Sequence, residues 1–372
     1  MSKVGIITFH ASFNYGSMLQ AYALQTFLRM KGHDVEFINY RSHFQKQIYY
    51  KPFDVHSKYS LLSSLKRLLL YPSSIKELTK KWYLFDEFLS HDLRVSSSEY
   101  NSIDELKQAH FNYDIVVVGS DQIWNSNASD SGEAYFAGFL PSSVEKVAYG
   151  PSFGQTPENN NVDVIRNFLK GFKAISVREE RARRFLQDNN IASDVDVVCD
   201  PTLLLSAHEY EKLIQDEPLI KGEYIFFYTP VGLPKEYFAI VNNLAEKLSI
   251  PVYTERAYYP HDLRKFANIK NFPAVGPCEF LNLVKNAKYV CGGSFHLQVF
   301  SILFKKDFYC INGDQDSRTN NLLTKLGLES RIISLTKSQI GIPHKITDYE
   351  SVFEKLKTYR SHSIEFIDKW IN

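Results

Sequence analysis

The stretch from Asn286 to Phe308, NAKYVCGGSFHLQVFSILFKKDF, most narrowly limits what this chain can fold into. An apolar run at 289–291 predicts a buried strand, and two glycines end that run. Ser294 is placed to cap a helix, because apolar residues then recur at helical spacing. A strand, a Gly-Gly turn and a helix leave free backbone N–H groups and the positive end of a helix dipole at the carboxyl edge of a sheet, which favours anions. His296, in the first helical turn, is therefore a candidate to exchange a proton with a bound anion.

A structural explanation of the same stretch stays open. Every bend between a strand and a helix in an α/β protein needs small residues. A histidine at such a bend can simply satisfy backbone groups rather than bind a ligand. The stretch by itself is consistent with both explanations, so the rest of the chain has to distinguish them.

Strand and helix patterns alternate along the chain, which predicts parallel sheets covered by helices. A break near 203–221 divides the pattern into two units, which predicts two Rossmann-like domains facing across a cleft. We predict an N-terminal domain at 1–203 with a basic helical insertion at about 41–95, a C-terminal domain at 204–345, and helical structure packed on the body at 346–372. The predicted strands are 4–9, 35–39, 114–118, 144–149, 174–177, 195–199, 224–228, 252–254, 272–275, 289–291 and 308–311. The predicted helices are 17–32, 162–172, 235–248, 279–287, 295–303, 319–326 and a terminal helix pair from Tyr349.

Composition argues against several classes of protein. The 372 residues carry a net charge of +1, so the charge balance gives no reason to expect nucleic acid as a partner. The four cysteines have no CxxC spacing, which argues against a zinc site or a disulfide framework and fits a reducing cytoplasm. The first apolar run is too short for a signal peptide, and no run reaches the ~18 apolar residues of a membrane span. We therefore expect a soluble, cytoplasmic protein without a metal site.

The segment from Arg41 to Lys81 differs from its surroundings. It contains nine Lys or Arg against two acidic residues, and aromatic residues are interleaved with these cations. Such a mixture suits the headgroup layer of an anionic membrane. A solvated helical insertion has the same composition, so both explanations stay open.

Two polar loops follow predicted strands, at the carboxyl edge where ligands of parallel sheets bind. His10–Gly16, reading HASFNYG, follows the first strand, and Asp121 and Gln122 follow the strand at 114–118. Asp121 is a candidate base, although an Asx turn or a helix cap explains it equally well. Neither a dinucleotide fingerprint nor a Walker sequence is present, so neither cofactor class is predicted.

Arg178 directly follows the strand at 174–177. From that position its guanidinium can form a bidentate pair with a carboxylate or a phosphate of a ligand. It can equally pair with Glu179 or Glu180, its neighbours in the sequence.

Several blocks of this sequence resemble the polysaccharide pyruvyl transferase family, and they occur in that family's order. They run nearly from end to end: ITFHASFNYGSMLQAYALQTFL, VVVGSDQIWN, AYGPSFG, ISVREE, VVCDPTLLL, VGPCEFLNLVKNAKYVCGGSFHLQVFSILFKKDF and LLTKLGLESR. The resemblance implies a two-domain fold like that of the GT-B glycosyltransferases. It also implies transfer of pyruvate from phosphoenolpyruvate onto two hydroxyls of a sugar as a ketal, without a further cofactor, in bacterial-type surface polysaccharide biosynthesis such as that of exopolysaccharide or capsule.

Family members carry a histidine and an arginine at the positions of His296 and Arg178, so the resemblance implies that these two residues act on phosphoenolpyruvate. The donor carries a phosphate and a carboxylate, for which Arg178 and the helix N-terminus at Ser294 offer positive charge. His296 is then the candidate that protonates the methylene carbon. Some relatives place an arginine where this chain has Ser294, so a second cationic contact comes from elsewhere or from backbone N–H groups.

By the same logic the N-terminal domain holds the acceptor sugar, with Asp121 as the base for an incoming hydroxyl. The acceptor of such pathways is commonly a lipid-linked oligosaccharide at the inner membrane face, which would give the basic aromatic segment a purpose and place the protein peripherally on that membrane. The predicted substrate contacts are Asn14, Tyr15, Gly16, Gln122, Ser294 and Phe295.

Two other functions remain open from the sequence. One is a GT-B glycosyltransferase with a nucleotide-sugar donor, because that fold hosts many donors. It would need a pocket that stacks a base and an acid that binds a ribose, and no clear candidate for either occurs late in the chain. The other is a non-catalytic sugar-binding relative, against which the presence of both Arg178 and His296 argues.

Overall fold

The computed structural model describes residues 1–52, 61–62, 64–65, 69, 75–128, 132–154, 161–230, 235–255, 266–334 and 345–371. Within these ranges the strands form two sheets, and every pair of neighbouring strands is parallel. The N-terminal sheet contains β1 Lys3–Ile7, β2 Asp34–Tyr40, β3 Val95–Tyr100, β4 Ile115–Val118, β5 Glu145–Ala148, β6 Ala174–Val177 and β7 Asp196–Val197. The C-terminal sheet contains β8 Ile225–Tyr228, β9 Val252–Thr254, β10 Ile269–Asn271, β11 Tyr289–Gly292, β12 Asp307–Ile311 and β13 Ile332–Ile333.

Helices connect and cover these strands. Those of the N-terminal part are α1 Tyr15–Met30, α2 His43–Ile48, α3 Ile75–His91, α4 Ile103–Gln108, α5 Val162–Leu169, α6 Glu180–Asp188 and α7 Ala207–Glu211. Those of the C-terminal part are α8 Lys235–Leu248, α9 Pro277–Asn286, α10 Phe295–Leu303, α11 Ser317–Leu326 and α12 Tyr349–Trp370. Strands such as β4 and β8 are buried along their whole length, as expected of parallel strands with both faces covered.

Both sheets have the strand order of a doubly wound fold. The N-terminal sheet runs β3-β2-β1-β4-β5-β6-β7 and the C-terminal sheet runs β10-β9-β8-β11-β12-β13. In each sheet the chain first adds strands toward one edge and then toward the other edge. The order switches between β1 and β4 in the N-terminal sheet, and between β8 and β11 in the C-terminal sheet. Ligands of such sheets bind beyond the carboxyl ends of the strands at these switch points. The predicted pair of Rossmann-like domains is confirmed.

Aromatic packing and a buried ion pair join the two lobes. Tyr15, at the start of α1, is 2% exposed, and its ring stacks on Phe280 of α9 with centroids 4.7 Å apart. Its hydroxyl donates to Oε2 of Glu255 at 3.0 Å, and Lys81 of α3 pairs with the same carboxylate. Apolar residues of both lobes consequently share one hydrophobic cluster.

Helix α12 also connects the lobes. Near its start, the Tyr349 hydroxyl donates to the carbonyl oxygen of Lys306 at 2.6 Å in the C-terminal lobe. Further along, Ser363 Oγ accepts from the Cys199 N–H at 2.8 Å, in the N-terminal lobe. The prediction of a terminal helix pair was wrong, because 349–370 forms one continuous helix. That range contains neither glycine nor proline, so nothing in it interrupts the helical hydrogen bonds.

One strand is displaced from its predicted position. The strand predicted at 272–275 lies at Ile269–Asn271 instead. Pro273 has no N–H to donate, so the ladder ends before it. Conversely, the edge strand Val95–Tyr100, VSSSEY, was not predicted, because its serines and glutamate carry no apolar run.

The basic segment is described only in part. Helices α2 and α3 belong to it, whereas Phe53, Lys58, Tyr59, Lys66, Arg67 and Tyr71 lie outside the described residues. Of its described cations, Arg41 and Lys46 pair with Glu99 of β3. Among the described helices of the chain, none has both the length and the apolar character needed to cross a membrane.

Candidate active site

The switch points of the two sheets face one cavity of about 390 Å³, which we call the inner cavity. The end of β1, the start of α1 and the loop after β4 form its wall on one side. The turn after β11, the first turn of α10 and the start of α11 form the other side. Its polar and charged lining residues are Asn14, Ser17, Asp121, Gln122, Asn125, Ser294, His296, Asp316 and Arg318.

The turn after β11 fixes where His296 lies. Gly292 has φ +155°, and a Cβ there would stand 1.7 Å from the carbonyl oxygen of Tyr228, so only glycine fits between these two strands. Ser294 then caps α10 by accepting from the Leu297 N–H at 3.4 Å. The helix begins at Phe295, and His296, which is 7% exposed, lies in its first turn on the cavity wall.

The opposite lobe presses a glycine against this histidine. Gly16 lies in the first turn of α1, behind the cap formed by Asn14, whose side-chain oxygen accepts from the Gly16 N–H at 2.9 Å. A Cβ on Gly16 would stand 2.0 Å from Nδ1 of His296. The close approach of the lobes at this point therefore requires a residue without a side chain.

Arg178 and His296 converge on one buried carboxylate, that of Asp200. Nη1 of Arg178 donates to Oδ2 of Asp200, and Nε2 of His296 lies 3.6 Å from the same oxygen. Burial disfavours the Asp200 carboxylate, but the charges of Arg178 and His296 outweigh it, so its pKa lies well below the usual range. Asp200 thus remains ionised and holds together Arg178 of one lobe and His296 of the other.

Arg178 itself is 4% exposed and surrounded by acids. Its Nη2 lies 3.6 Å from Oδ1 of Asp121, and its Nε lies 3.9 Å from Oε1 of Glu179. Both distances exceed those of a hydrogen bond, and within the described part of the chain neither nitrogen has a hydrogen-bond partner. The guanidinium therefore lies behind the cavity wall as the centre of an ionic cluster.

Asp121 occupies the N-terminal side of the inner cavity. Its backbone is left-handed, with φ +67°, and its carboxylate accepts from Ser17 Oγ at 2.5 Å and from the Gln122 N–H at 2.8 Å. These contacts aim the carboxylate into the space that His296 faces from the other lobe.

Arg318 lies at the mouth of the inner cavity and belongs to α11. Its Nε and Nη2 form a bidentate pair with Asp316, at 3.0 and 2.8 Å. Its guanidinium carbon stands 5.8 Å from the centroid of Phe295, and that of Arg178 stands 5.5 Å from the same ring. With the side-chain oxygen of Gln122 turned toward it, Nη1 also donates to that oxygen at 2.6 Å. The Phe295 ring therefore lies within 6 Å of two guanidinium groups, of which that of Arg318 lines the inner cavity and that of Arg178 does not.

A second space, the outer cavity, adjoins the first and measures about 480 Å³. Gln122, Asn125, Asp316 and Arg318 line both spaces. Asn127, Gly154, Arg181, Gln315 and Ser317 complete the outer lining. The cleft therefore offers two adjoining polar compartments with Arg318 at their junction.

The structure brings most of the predicted site residues together, with one exception. Asn14, Asp121, Gln122, Ser294, Phe295 and His296 line the inner cavity, while Gly16 and Arg178 lie directly behind its wall. Tyr15 lies in the core between the lobes instead, where burial raises the pKa of its hydroxyl. We therefore do not retain Tyr15 as a substrate contact.

Sequence reasoning missed five residues of this site: Ser17, Asn125, Asp200, Asp316 and Arg318. A signal existed for Asp200, since it follows a short strand and caps the turn Pro201–Leu203 by accepting from the Thr202 N–H at 3.0 Å. No local sequence pattern identifies Arg318 as a site residue, because its place on the cavity wall depends on how α11 packs against loops far away in the sequence. Within the described ranges, no three or more His, Cys, Asp or Glu side chains are grouped so that they could hold a metal ion.

A family model described as "Polysaccharide pyruvyl transferase" matches residues 14–315 of this chain, which is most of its length. The match begins after β1 and includes every site residue described above except Asp316, Ser317 and Arg318. No curated protein sequence matches the chain.

Solved structures share the two-lobed fold at low sequence identity. MnaA from S. aureus, solved with UDP, has 12% identity and a TM-score of 0.51, and the alignment covers 98% of this chain and 91% of that one. A protein described as a UDP-N-acetylglucosamine 2-epimerase from Listeria monocytogenes has 10% identity and a TM-score of 0.52, with 98% and 90% covered. AviGT4, a glycosyltransferase involved in avilamycin A biosynthesis, has 11% identity and a TM-score of 0.48, with 100% and 97% covered. The fold shared with the first two of these structures confirms the predicted GT-B-like fold.

Proposed function

The chain belongs to the polysaccharide pyruvyl transferase family, and on that basis we propose that it transfers the pyruvyl group of phosphoenolpyruvate onto two hydroxyls of a sugar as a ketal. The observation that carries the proposal is the convergence of His296 and Arg178 on Asp200 at the edge of the inner cavity. This arrangement holds an imidazole, which can carry a proton near neutral pH, at a helix N-terminus that favours anions.

The proposed reaction balances without an outside reagent. The methylene carbon of phosphoenolpyruvate gains a proton and becomes the ketal methyl. Two sugar hydroxyls each lose a proton and bond to C2, while the bond from C2 to the phosphate oxygen breaks. Phosphate leaves with one of the two protons, so the products are a sugar ketal and hydrogen phosphate.

His296 is the proposed acid that protonates the methylene carbon. Its Nε2 lies 3.6 Å from Oδ2 of Asp200, and Gly16 lies against the ring from the other lobe. Arg178 is then a positioning residue, since it holds the Asp200 carboxylate through Nη1. After His296 has given up its proton, it takes a proton from the second sugar hydroxyl as that oxygen bonds to C2.

Asp121 is the proposed base for the first sugar hydroxyl. Its carboxylate lines the inner cavity on the side opposite α10, and Ser17 holds one of its oxygens at 2.5 Å. Asn14, Gln122 and Asn125, which line the same wall, have the amide groups that hydrogen-bond sugar hydroxyls. We accordingly propose that the acceptor enters from the N-terminal side.

A direct test combines the purified protein, phosphoenolpyruvate and a panel of galactose, mannose and glucuronate glycosides. We expect release of phosphate together with a new ketal methyl resonance in the proton NMR spectrum of one glycoside. His296→Gln should abolish both signals, and the matched variant His208→Gln, whose side chain is 73% exposed, should retain them. Turnover of a UDP or GDP sugar without any ketal would instead support a glycosyltransferase and overturn the proposal.

We further propose that the acceptor is lipid-linked and that the basic segment touches the inner membrane face. Among the described residues, exposed large apolar side chains concentrate there, with Leu69 81% and Leu62 67% exposed. The others in this segment are Phe44, Ile48, Leu61 and Leu65. Apolar side chains next to lysines are what an anionic membrane surface binds.

Flotation with vesicles of anionic and of neutral lipids tests this contact. We expect binding to anionic vesicles that weakens when Lys76 and Lys80 are changed to Glu, and that also weakens when Leu62 and Leu69 are changed to Ser. Reversal of the exposed Lys212 and Lys357, which lie elsewhere, should leave flotation unchanged. Equal flotation of all variants would favour a solvated insertion.

A further inference from the structure

We propose that Arg318, rather than Arg178, is the cation that directly contacts the anionic groups of the donor. This inference rests on the proposed function. Among the described residues on the wall of the inner cavity, Arg318 is the only lysine or arginine. A donor that carries a phosphate and a carboxylate needs such a group within reach of its oxygens.

Arg178 is poorly placed for that contact. Its side chain is 3% exposed and does not line the inner cavity, whereas Phe295, whose centroid lies 5.5 Å from its guanidinium carbon, does. Asp200 takes its Nη1, while Asp121 and Glu179 lie within 4 Å of its other nitrogens. A ligand anion would therefore have to compete with three carboxylates for a guanidinium that the wall covers.

Arg318 has donors left over after its own pairing. Asp316 uses Nε and one hydrogen of Nη2, which leaves Nη1 directed at the Gln122 side chain and the cavity. The bidentate pair and the Phe295 ring beneath it hold the guanidinium plane in place, so little conformational entropy is lost when an anion binds. Burial opposes its charge, but Asp316 outweighs that effect and raises its pKa, so Arg318 stays protonated.

Its position also fits the geometry of the helix tip. Ser294, the residue that caps α10, carries no charge, so the backbone N–H groups there lack a cationic neighbour on their own strand and turn. Arg318 stands over Phe295, the residue between Ser294 and His296. A phosphate at the tip of α10 can thus accept from the helix N-terminus and from Arg318 together, while the methylene carbon faces His296.

The decisive variants are Arg318→Gln, which removes the charge, and Arg318→Lys, which keeps charge but loses the planar fork. For Arg318→Gln we expect KM for phosphoenolpyruvate, and its Kd by calorimetry, to rise about 10- to 100-fold, the range for losing one charged hydrogen bond. Arg318→Lys should fall between that variant and the wild type. Arg178→Lys should instead lower kcat and alter the pH profile, because it acts through Asp200 and His296.

Arg184→Gln is the matched control, since this arginine lies on the surface of α6 with its side chain 72% exposed and should leave KM and Kd unchanged. Thermal unfolding of each variant establishes that it is folded. A KM within about twofold of the wild type in folded Arg318→Gln overturns the inference, because a charged contact is worth more than that.

Calorimetry with inorganic phosphate separates this inference from the proposed function. Phosphate binding that requires Arg318 supports the anion site even if no ketal is formed from phosphoenolpyruvate. Ketal formation with an unaltered KM in Arg318→Gln leaves the proposed function standing and overturns the assignment of Arg318. If Arg318→Gln does not fold, Arg318→Met, which also removes the charge, is judged by the same criterion.

Discussion

The two lobes share one strand order, yet their switch points are built from different chemical groups. At the carboxyl edge of the N-terminal sheet, buried carboxylates surround the buried guanidinium of Arg178. At the C-terminal switch point, a Gly-Gly turn presents a helix N-terminus and His296, with Arg318 on the wall nearby. One lobe therefore supplies oriented negative charge, and the other supplies positive charge and backbone donors.

Two lobes with the same strand order can therefore take different roles in one proposed reaction. Burying carboxylates is costly unless cations pair with them, so the N-terminal cluster is suited to hold groups in place rather than to attract an anion. A helix N-terminus attracts anions with little reorganisation. We expect changes at the C-terminal switch point to affect donor chemistry, and changes at the N-terminal one to affect orientation, the acceptor and stability.

The largest effect should follow from His296→Gln. If the C-terminal lobe supplies the acid, kcat/KM should fall by about 10³-fold or more, at the upper part of the range for general acid–base groups. The measurement is phosphate release under saturating acceptor, with His208→Gln as the control. A loss of less than tenfold would mean that the proton comes from another group and would remove the proposed division of roles.

The second-largest effect on activity should follow from Gly16→Ala, because this change disrupts the contact between the two switch points. The new methyl would need a position 2.0 Å from Nδ1 of His296, so the ring must move. We expect a fall of about 10² in kcat/KM, the cost of misplacing a reacting group by about 1 Å. Gly138→Ala is the matched control, since a Cβ there meets nothing within 4 Å. Unaltered kinetics in Gly16→Ala would show that the position of His296 tolerates change.

Asp121→Asn tests whether the N-terminal lobe supplies the base. The amide keeps the shape of the side chain but cannot accept a proton, so we expect kcat to fall about 10²-fold with KM for phosphoenolpyruvate little changed. Asp104→Asn, at an exposed position on α4, serves as the control. Undiminished turnover in Asp121→Asn would show that Asp121 is not the base and only stabilises its loop.

The smallest effect concerns stability and pH. Burial raises the pKa of Glu179, although Arg178 opposes this, so the folded chain binds that proton more tightly than the unfolded chain does. Its contribution is therefore most favourable at low pH and declines as pH rises from the unfolded value of about 4.3 through the raised folded value. Glu179→Gln has no carboxyl group to titrate, so this loss of folding stability with rising pH should be absent in the variant.

We expect Glu179→Gln to unfold a few degrees higher than the wild type at neutral pH, about what 1 kcal/mol produces in a chain of this size. The difference should shrink toward pH 4. Thermal unfolding across that range is the measurement. A lower unfolding temperature for Glu179→Gln at neutral pH would show that the ionised carboxylate stabilises the Arg178 cluster.

Much of the fold followed from local patterns. Apolar runs ended by glycine, and helices that begin at Ser294 or beside Asn14, depend on sterics and capping within a few residues, so their positions were predictable. The same holds for His296 in the first turn of α10. The length of α12 and the displaced strand β10 were predicted less well, because helix continuity and ladder pairing also depend on what packs alongside.

By itself the sequence determined the alternation of strand and helix, the two parallel units, and the imidazole at a helix tip, since each depends on neighbours along the chain. Only the tertiary structure decided that Asp200 receives Arg178 and His296 together, that Gly16 touches His296, that Tyr15 belongs to the core, and that Arg318 reaches the cavity. The physical reason is distance along the chain. These contacts join residues far apart in sequence, and they exist only because two sheets with the same strand order bring their switch points to one cleft.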